Sequence, residues 1–284
     1  MSEPNELLVE SIKSNDIDAA RSALRDGANV NWRIPTKDFP CNQTPLMIAS
    51  ELGRTDIVKM LLDLGASVKL VDKHVMRSEG GGATALHYAI KGGNSDTVRL
   101  LLQAKADPNK MSHNGDLPLD IAAFNGRLEL VKALVEGGAD VNKFDGLGVP
   151  IAGRAVESRN LVLVEYLLDK GVDANSQHIG GFADTLLHTA CYDDAADICE
   201  LLLTRGADPN RLSNYRETPL GIAVKAGALK CTVLLLANQV NVNQIDRMGK
   251  TVLDWLEGFK KNKVNLVIRE LIVKAGGKRA TEIC

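Results

Sequence analysis

Apolar and polar residues alternate along 44–64, "TPLMIASELGRTDIVKMLLDL", in the rhythm of two short helices. Leu46 and Ala49 lie three apart, on one face of a first helix, and Ile57, Val58, Leu61 and Leu62 mark one face of a second. Gly53 separates them and supplies the left-handed turn such a reversal needs. Thr44 stands where an N-cap is required, and Pro45 takes the next position, where a missing N–H costs nothing. The segment "GASVK" at 65–69 then leaves the second helix at a glycine and leads into a hairpin-like connection.

The same pattern returns along the chain. "TALHYA" opens at 84, "LPLDIA" at 117, "TLLHTA" at 185 and "TPLGIA" at 218, and "GADVN" at 138–142 recurs as "KADPN" at 105–109 and "GADPN" at 206–210. Aligned on these openings, units start near residues 6, 44, 84, 117, 150, 185, 218 and 251, with a prevailing period of 33. A 33-residue unit with a T-P-L-H-x-A opening resembles the ankyrin repeat. The resemblance implies an all-α fold, a solenoid of stacked helix-turn-helix units joined by hairpin-like loops, over one domain from 6 to 276 with a short tail at 277–284. Each unit contacts only its neighbours, so terminal units are expected to act as polar caps, Lys260, Lys261 and Lys263 among their surface residues. Arg159 and Asp194 replace the turn glycine. Asp tolerates a left-handed backbone better than Arg does, so Asn160 is expected to take that conformation in the fifth unit.

Composition adds limits. The 284 residues are 45% hydrophobic and 25% charged, with a net charge of −2. That balance gives no basis for nucleic-acid binding, and no apolar run approaches the roughly 20 residues of a membrane span. The acidic N-terminus does not read as a signal peptide. The five cysteines are odd in number and dispersed, which fits free thiols in a reducing, cytoplasmic setting. Cys191, Cys199 and Cys231 are expected as buried small hydrophobes, Cys41 and Cys284 as exposed.

Candidate chemistry is sparse. His87 and His188 occupy the T-P-L-H position, where the resemblance implies hydrogen bonding between repeats. No histidine pair has metal-ligand spacing, and no nucleophile, base and orienting group can be recognised together. No catalytic residue, cofactor or metal is therefore expected. Gly80-Gly81-Gly82 precedes a helix as a phosphate loop would, but no lysine follows and no strand precedes it.

The resemblance implies a protein-binding module, monomeric when unbound, that contacts its partner through hairpin tips and the exposed side of the first helices, which together line a concave face. Those slots and the loops beside them hold Trp32, Phe39, His113, Phe124, Asn125, Leu147, Phe182, Tyr192, Asp193, Tyr215, Lys225 and Met248. Of only eleven aromatics, Phe124, Phe182, Tyr192, Tyr215 and Phe259 fall in the slots, and aromatics are typical interface anchors. Enlarged loops at 32–43 and 68–83 add Lys73, His74, Met76 and Arg77. Adaptor, inhibitor and masking roles all fit. So do a secreted host-directed bacterial effector and an immunity protein that neutralises a toxin, with an enzyme site built from repeat loops as a remote alternative.

Overall fold

The computed structural model describes residues 3–34, 42–72, 82–179, 181, 184–259 and 262–283. The chain divides into two compact units, Met1–Asp140 and Val141–Cys284. Among the described residues both units are helical, and extended pairing is confined to isolated bridges such as Val71 with Thr84 and Gln177 with Thr185.

The first unit holds four helix pairs: α1 (Pro4–Ser14) with α2 (Ile17–Arg25), α3 (Pro45–Glu51) with α4 (Thr55–Asp63), α5 (Ala85–Gly92) with α6 (Ser95–Gln103), and α7 (Pro118–Phe124) with α8 (Leu128–Glu136). The second holds four more: α9 (Ile151–Glu157) with α10 (Leu161–Asp169), α11 (Leu186–Tyr192) with α12 (Ala196–Thr204), α13 (Pro219–Ala226) with α14 (Leu229–Leu236), and α15 (Val252–Gly258) with α16 (Lys263–Lys274).

The openings cap their helices as the sequence predicts. Thr44, Thr185, Thr218 and Thr251 accept the backbone N–H three residues on, while Leu117 and Pro150 supply no side-chain cap. Within each unit the first helices pack on one another, α3 on α5 and α5 on α7, then α9 on α11, α11 on α13 and α13 on α15. Ala49, Ala89, Ala122, Ala155, Ala190 and Ala223 are all fully buried, the small side chains letting first helices approach closely. Leu46, Leu86, Leu119, Leu186 and Leu220 fill the core beside them.

Two expectations change. Arg159 itself adopts the left-handed backbone, at φ 56°, and Asn160 instead caps α10, its side chain accepting from Leu163 N at 3.1 Å. The need for an N-cap decides this, because a capping residue must be extended. Arg159 is held by Asp193, donating to its carbonyl at 2.9 Å and its carboxylate at 3.1 Å. The last helix is also less polar than a cap was expected to be. Lys263 is exposed at its start, but so are Val264, Leu266, Val267 and Val273. Lys260 and Lys261 lie outside the described residues.

The asparagine of the D-x-N segment reaches forward to the next turn with both ends of its amide. Asn175 donates to the Gly206 carbonyl at 3.0 Å and accepts from Asp208 N at 2.8 Å. Asn109 does the same with Gly138 and Asp140, and Asn243 with Gly276 and Lys278. Within each unit these side-chain amides tie one such turn to the next.

Candidate protein-binding surface

Each well-described tip is built by one polar residue five positions before the opening. Asp145 accepts from Leu147 N at 2.8 Å and Val149 N at 2.9 Å. Asp246 accepts from Met248 N at 2.8 Å and Lys250 N at 3.0 Å. Ser213 does the same for Tyr215 and Glu217, at 3.2 and 3.3 Å, and Ser112 for Asn114 and Asp116, at 3.3 and 3.2 Å. Such side-chain turns satisfy the backbone locally. They place the residue three before the opening at the corner. Among the described residues of the second unit, those three positions before an opening are Leu147, Tyr215 and Met248.

These corners are exposed and apolar. Leu147 is 76% exposed and Met248 69%, and Tyr192, at the end of α11, is 70% exposed. Phe124 ends α7 in the first unit at 55%, with Asn125 exposed beside it. Ile179, which the slots did not predict, is 62% exposed and donates its backbone N–H to the Gly148 carbonyl at 2.7 Å. The signal that could have found it is its place beside the tip-forming segment.

The remaining predicted residues are differently placed. The Lys225 ammonium pairs with Glu217 and with Asp246, the latter at 3.4 Å, and lies 3.9 Å above the centre of the Trp255 ring. Trp255 in turn donates its indole N–H to Asp246 at 2.7 Å, and the Lys250 ammonium is 4.3 Å from the same ring centre. Burial opposes charge on Asp246. Hydrogen bonds from Lys250 N, Trp255 and Met248 N, with the Lys225 charge, nevertheless hold its carboxyl below the usual range. Asp193 is occupied by Arg159. Trp32 is half-buried.

In the first unit, Asp72, Tyr88, His113 and Ile121 border a cleft of about 420 Å³. Tyr88 donates its hydroxyl to Asp72 at 2.7 Å, and Ala83 N donates to the same carboxylate at 2.7 Å. His113 is half-buried, its Nε2 4.0 Å from Asp72. Phe39, Lys73, His74, Met76, Arg77 and Phe182 lie outside the described residues, as do Cys41 and Cys284.

His87 and His188 have structural partners. His188 Nδ1 accepts from Thr185 N at 3.2 Å, so Nε2 carries the proton and donates to the Glu217 carbonyl at 3.1 Å in the next repeat. His87 makes the matching bonds to Thr84 N and the Asp116 carbonyl. Burial lowers the pKa of both rings. Cys191, Cys199 and Cys231 are buried as expected, but the fold brings all three together, which their spacing did not reveal.

Helix pairs of this length, capped by Thr-Pro and joined by Asn-braced tips, define a repeat class of binding scaffold. The ankyrin repeat profiles match this chain at 41–73, 69–145 and 153–255, well over half of its length, and the chain belongs to the ankyrin repeat family. The crystal structure of the human ASB11 ankyrin repeat domain superposes with a TM-score of 0.70 at 26% identity, covering 83% of this chain and 99% of that one. The ankyrin repeat protein FPV031 of fowlpox virus is 37% identical over 115 residues, 40% of this chain and 31% of its own length. Zinc finger CCCH domain-containing protein 50 of rice is 35% identical over 127 residues, 40% of this chain and 18% of its own. The chain thus spans less than a third of these two relatives. Ankyrin repeats are generally protein–protein interaction modules, and typically non-enzymatic. No described helix is long and apolar enough to cross a membrane.

Proposed function

We propose that this chain binds a partner protein through the side of its repeats that carries the hairpin tips and the ends of the first helices. The observation that carries the reading is the recurrence of exposed apolar side chains at equivalent corners of the second unit, Leu147, Tyr215 and Met248, with Tyr192 at a first-helix end. Leu147, Tyr215 and Met248 stand on turns of one design, and Tyr192 ends a first helix, so exposed anchors recur along the second unit. Desolvated aromatic and sulfur-containing side chains supply much of an interface's energy. Lys225 acts here as a brace that holds Trp255 and the Met248 turn in place, since its charge is already paired.

The test is affinity capture from a lysate of the native source, comparing the wild-type chain with a Tyr192→Ala, Tyr215→Ala, Met248→Ala triple variant of equal melting temperature. Retention of the specific partner should fall by about a hundredfold, roughly 2.7 kcal/mol. Equal retention by both chains would refute the surface assignment.

A further inference from the structure

Cys191 on α11, Cys199 on α12 and Cys231 on α14 are all buried, and their three sulfurs lie within 4.8 Å of one another. The first two belong to one repeat and the third to the next. Counted from the repeat openings, they fill slots that elsewhere hold either branched aliphatics or small and hydroxyl-bearing side chains, Ser50, Thr97, Ala123 and Thr232 among the latter. The preceding step in the same unit places Val156, Val164 and Ile198 there, and a step of the first unit places Ile90, Val98 and Leu130, all buried. Three thiols bury less hydrocarbon than those two triads do.

The arrangement has the dimensions of a three-sulfur ligand set. Three donors about 2.3 Å from a common centre stand about 3.4 Å apart in a pyramid and about 4 Å apart in a plane, both inside the observed limit. Among the described residues the donor group has three members, where structural zinc takes four. Charge narrows the choice further. Three thiolates around monovalent copper carry two negative charges, around zinc one, and around trivalent arsenic none. The site is sealed from water, and the charged side chain acting on Cys199 and Cys231 is the carboxylate of Asp194. Asp194 accepts from Cys231 N at 3.0 Å and opposes further negative charge.

We propose that Cys191, Cys199 and Cys231 form a binding site for a trivalent thiophilic ion of the arsenite class, which on loading ties the α11–α12 repeat to α14. Arsenous acid reacts with three thiols to give a neutral arsenic trithiolate and three waters. Three As–O bonds break, three As–S bonds form, and each hydroxyl leaves with a proton, without change of oxidation state. A thiol already ionised takes the balancing proton from solvent. Arsenous acid is itself uncharged at neutral pH, so it enters during local opening without burying a charge.

The experiment titrates the fully reduced chain with arsenite, with Cu(I) and Zn(II) in parallel, and follows sulfur-to-metal charge-transfer absorbance, intact mass and thermal melting. Arsenite should bind one to one, add the mass of one arsenic less three hydrogens, and raise the melting temperature. Cys191→Ala, Cys199→Ala and Cys231→Ala should each weaken binding by at least about tenfold, and a Cys41→Ala, Cys284→Ala chain should bind as wild type. Absence of stoichiometric binding, indifference to the three substitutions, or tighter binding of Cu(I) or Zn(II) overturns the proposal. Should the single variants fail to fold, arsenite must still protect these three thiols of the wild-type chain from alkylation during partial unfolding, read by peptide mass spectrometry. Unprotected thiols there refute the site.

Discussion

At Gly82 a methyl group has nowhere to go. A Cβ there would overlap the Asp72 carboxylate, the Asp72 carbonyl oxygen and His113 Nε2. The backbone closes so tightly because Ala83 bonds Asp72 twice, its N–H reaching the carboxylate at 2.7 Å and its carbonyl accepting from Asp72 N at 3.0 Å. This glycine thus serves close approach of the backbone; Gly80 and Gly81 lie outside the described residues. Gly82→Ala should destabilise the first unit by about 1–3 kcal/mol, seen as a lower urea midpoint. The opposite effect is expected at Lys105. It stands where other repeats use glycine to leave the second helix, and it holds φ 66°. Lys105→Gly relieves a left-handed backbone that costs an L-residue roughly 1–2 kcal/mol, less the entropy glycine adds to the unfolded chain. A net gain of about 0.5–1 kcal/mol in the same denaturation assay is the expected outcome, and a loss would show that the lysine side chain contributes more than its backbone costs.

At the scale of the element, the short helices were legible because every determinant is local. Thr185, the leucines of 186–187 and Ala190 sit within one turn or two of each other, so cap, core face and stacking position can be read directly. What joins one repeat to the next was less legible. Asn175 meets the Gly206 carbonyl across 31 residues, and His188 meets the Glu217 carbonyl across 29. Only the resemblance foretold the histidine link, and the asparagine link went unread because spacing cannot say which of several nearby turns an amide will reach. Arg159 shows the same limit, for its left-handed backbone is stabilised by Asp193, 34 residues on. The asparagine link is testable. Asn175→Ala removes two exposed hydrogen bonds and should lower stability by about 1–2 kcal/mol, and it should raise amide exchange at Asp208, which loses its acceptor. Unchanged exchange at Asp208 would mean that the bond does not persist in solution.

For the whole molecule, the candidate surface was half legible, since corner residues can be counted from the openings, whereas the pairing of Lys225 and the meeting of three cysteines depend on packing between repeats. The buried histidines make a further prediction at this scale. In the folded chain His87 and His188 are held neutral, with pKa values lowered from 6.5 by burial. Each Nδ1 accepts a backbone N–H, so a proton arriving there would meet a donor. Between the folded values and 6.5 the unfolded chain therefore binds more protons, and stability rises with pH across that window. Their contribution is complete above 6.5 and is lost as pH falls through 6.5 toward the folded values. Asp246 and Asp254 act in a separate, more acidic window. Both are held below 3.8 against the effect of burial, chiefly by hydrogen bonds from backbone groups and from Trp255 or Thr251. Their contribution is present above 3.8 and is lost as pH falls through their folded values. Urea midpoints measured from pH 8 downward should hence show a first decline beginning near 6.5 and a second one below 4. A His87→Gln, His188→Gln chain should be less stable at pH 8 but should lose the first decline. Persistence of that decline in the double variant would place the proton-linked step elsewhere.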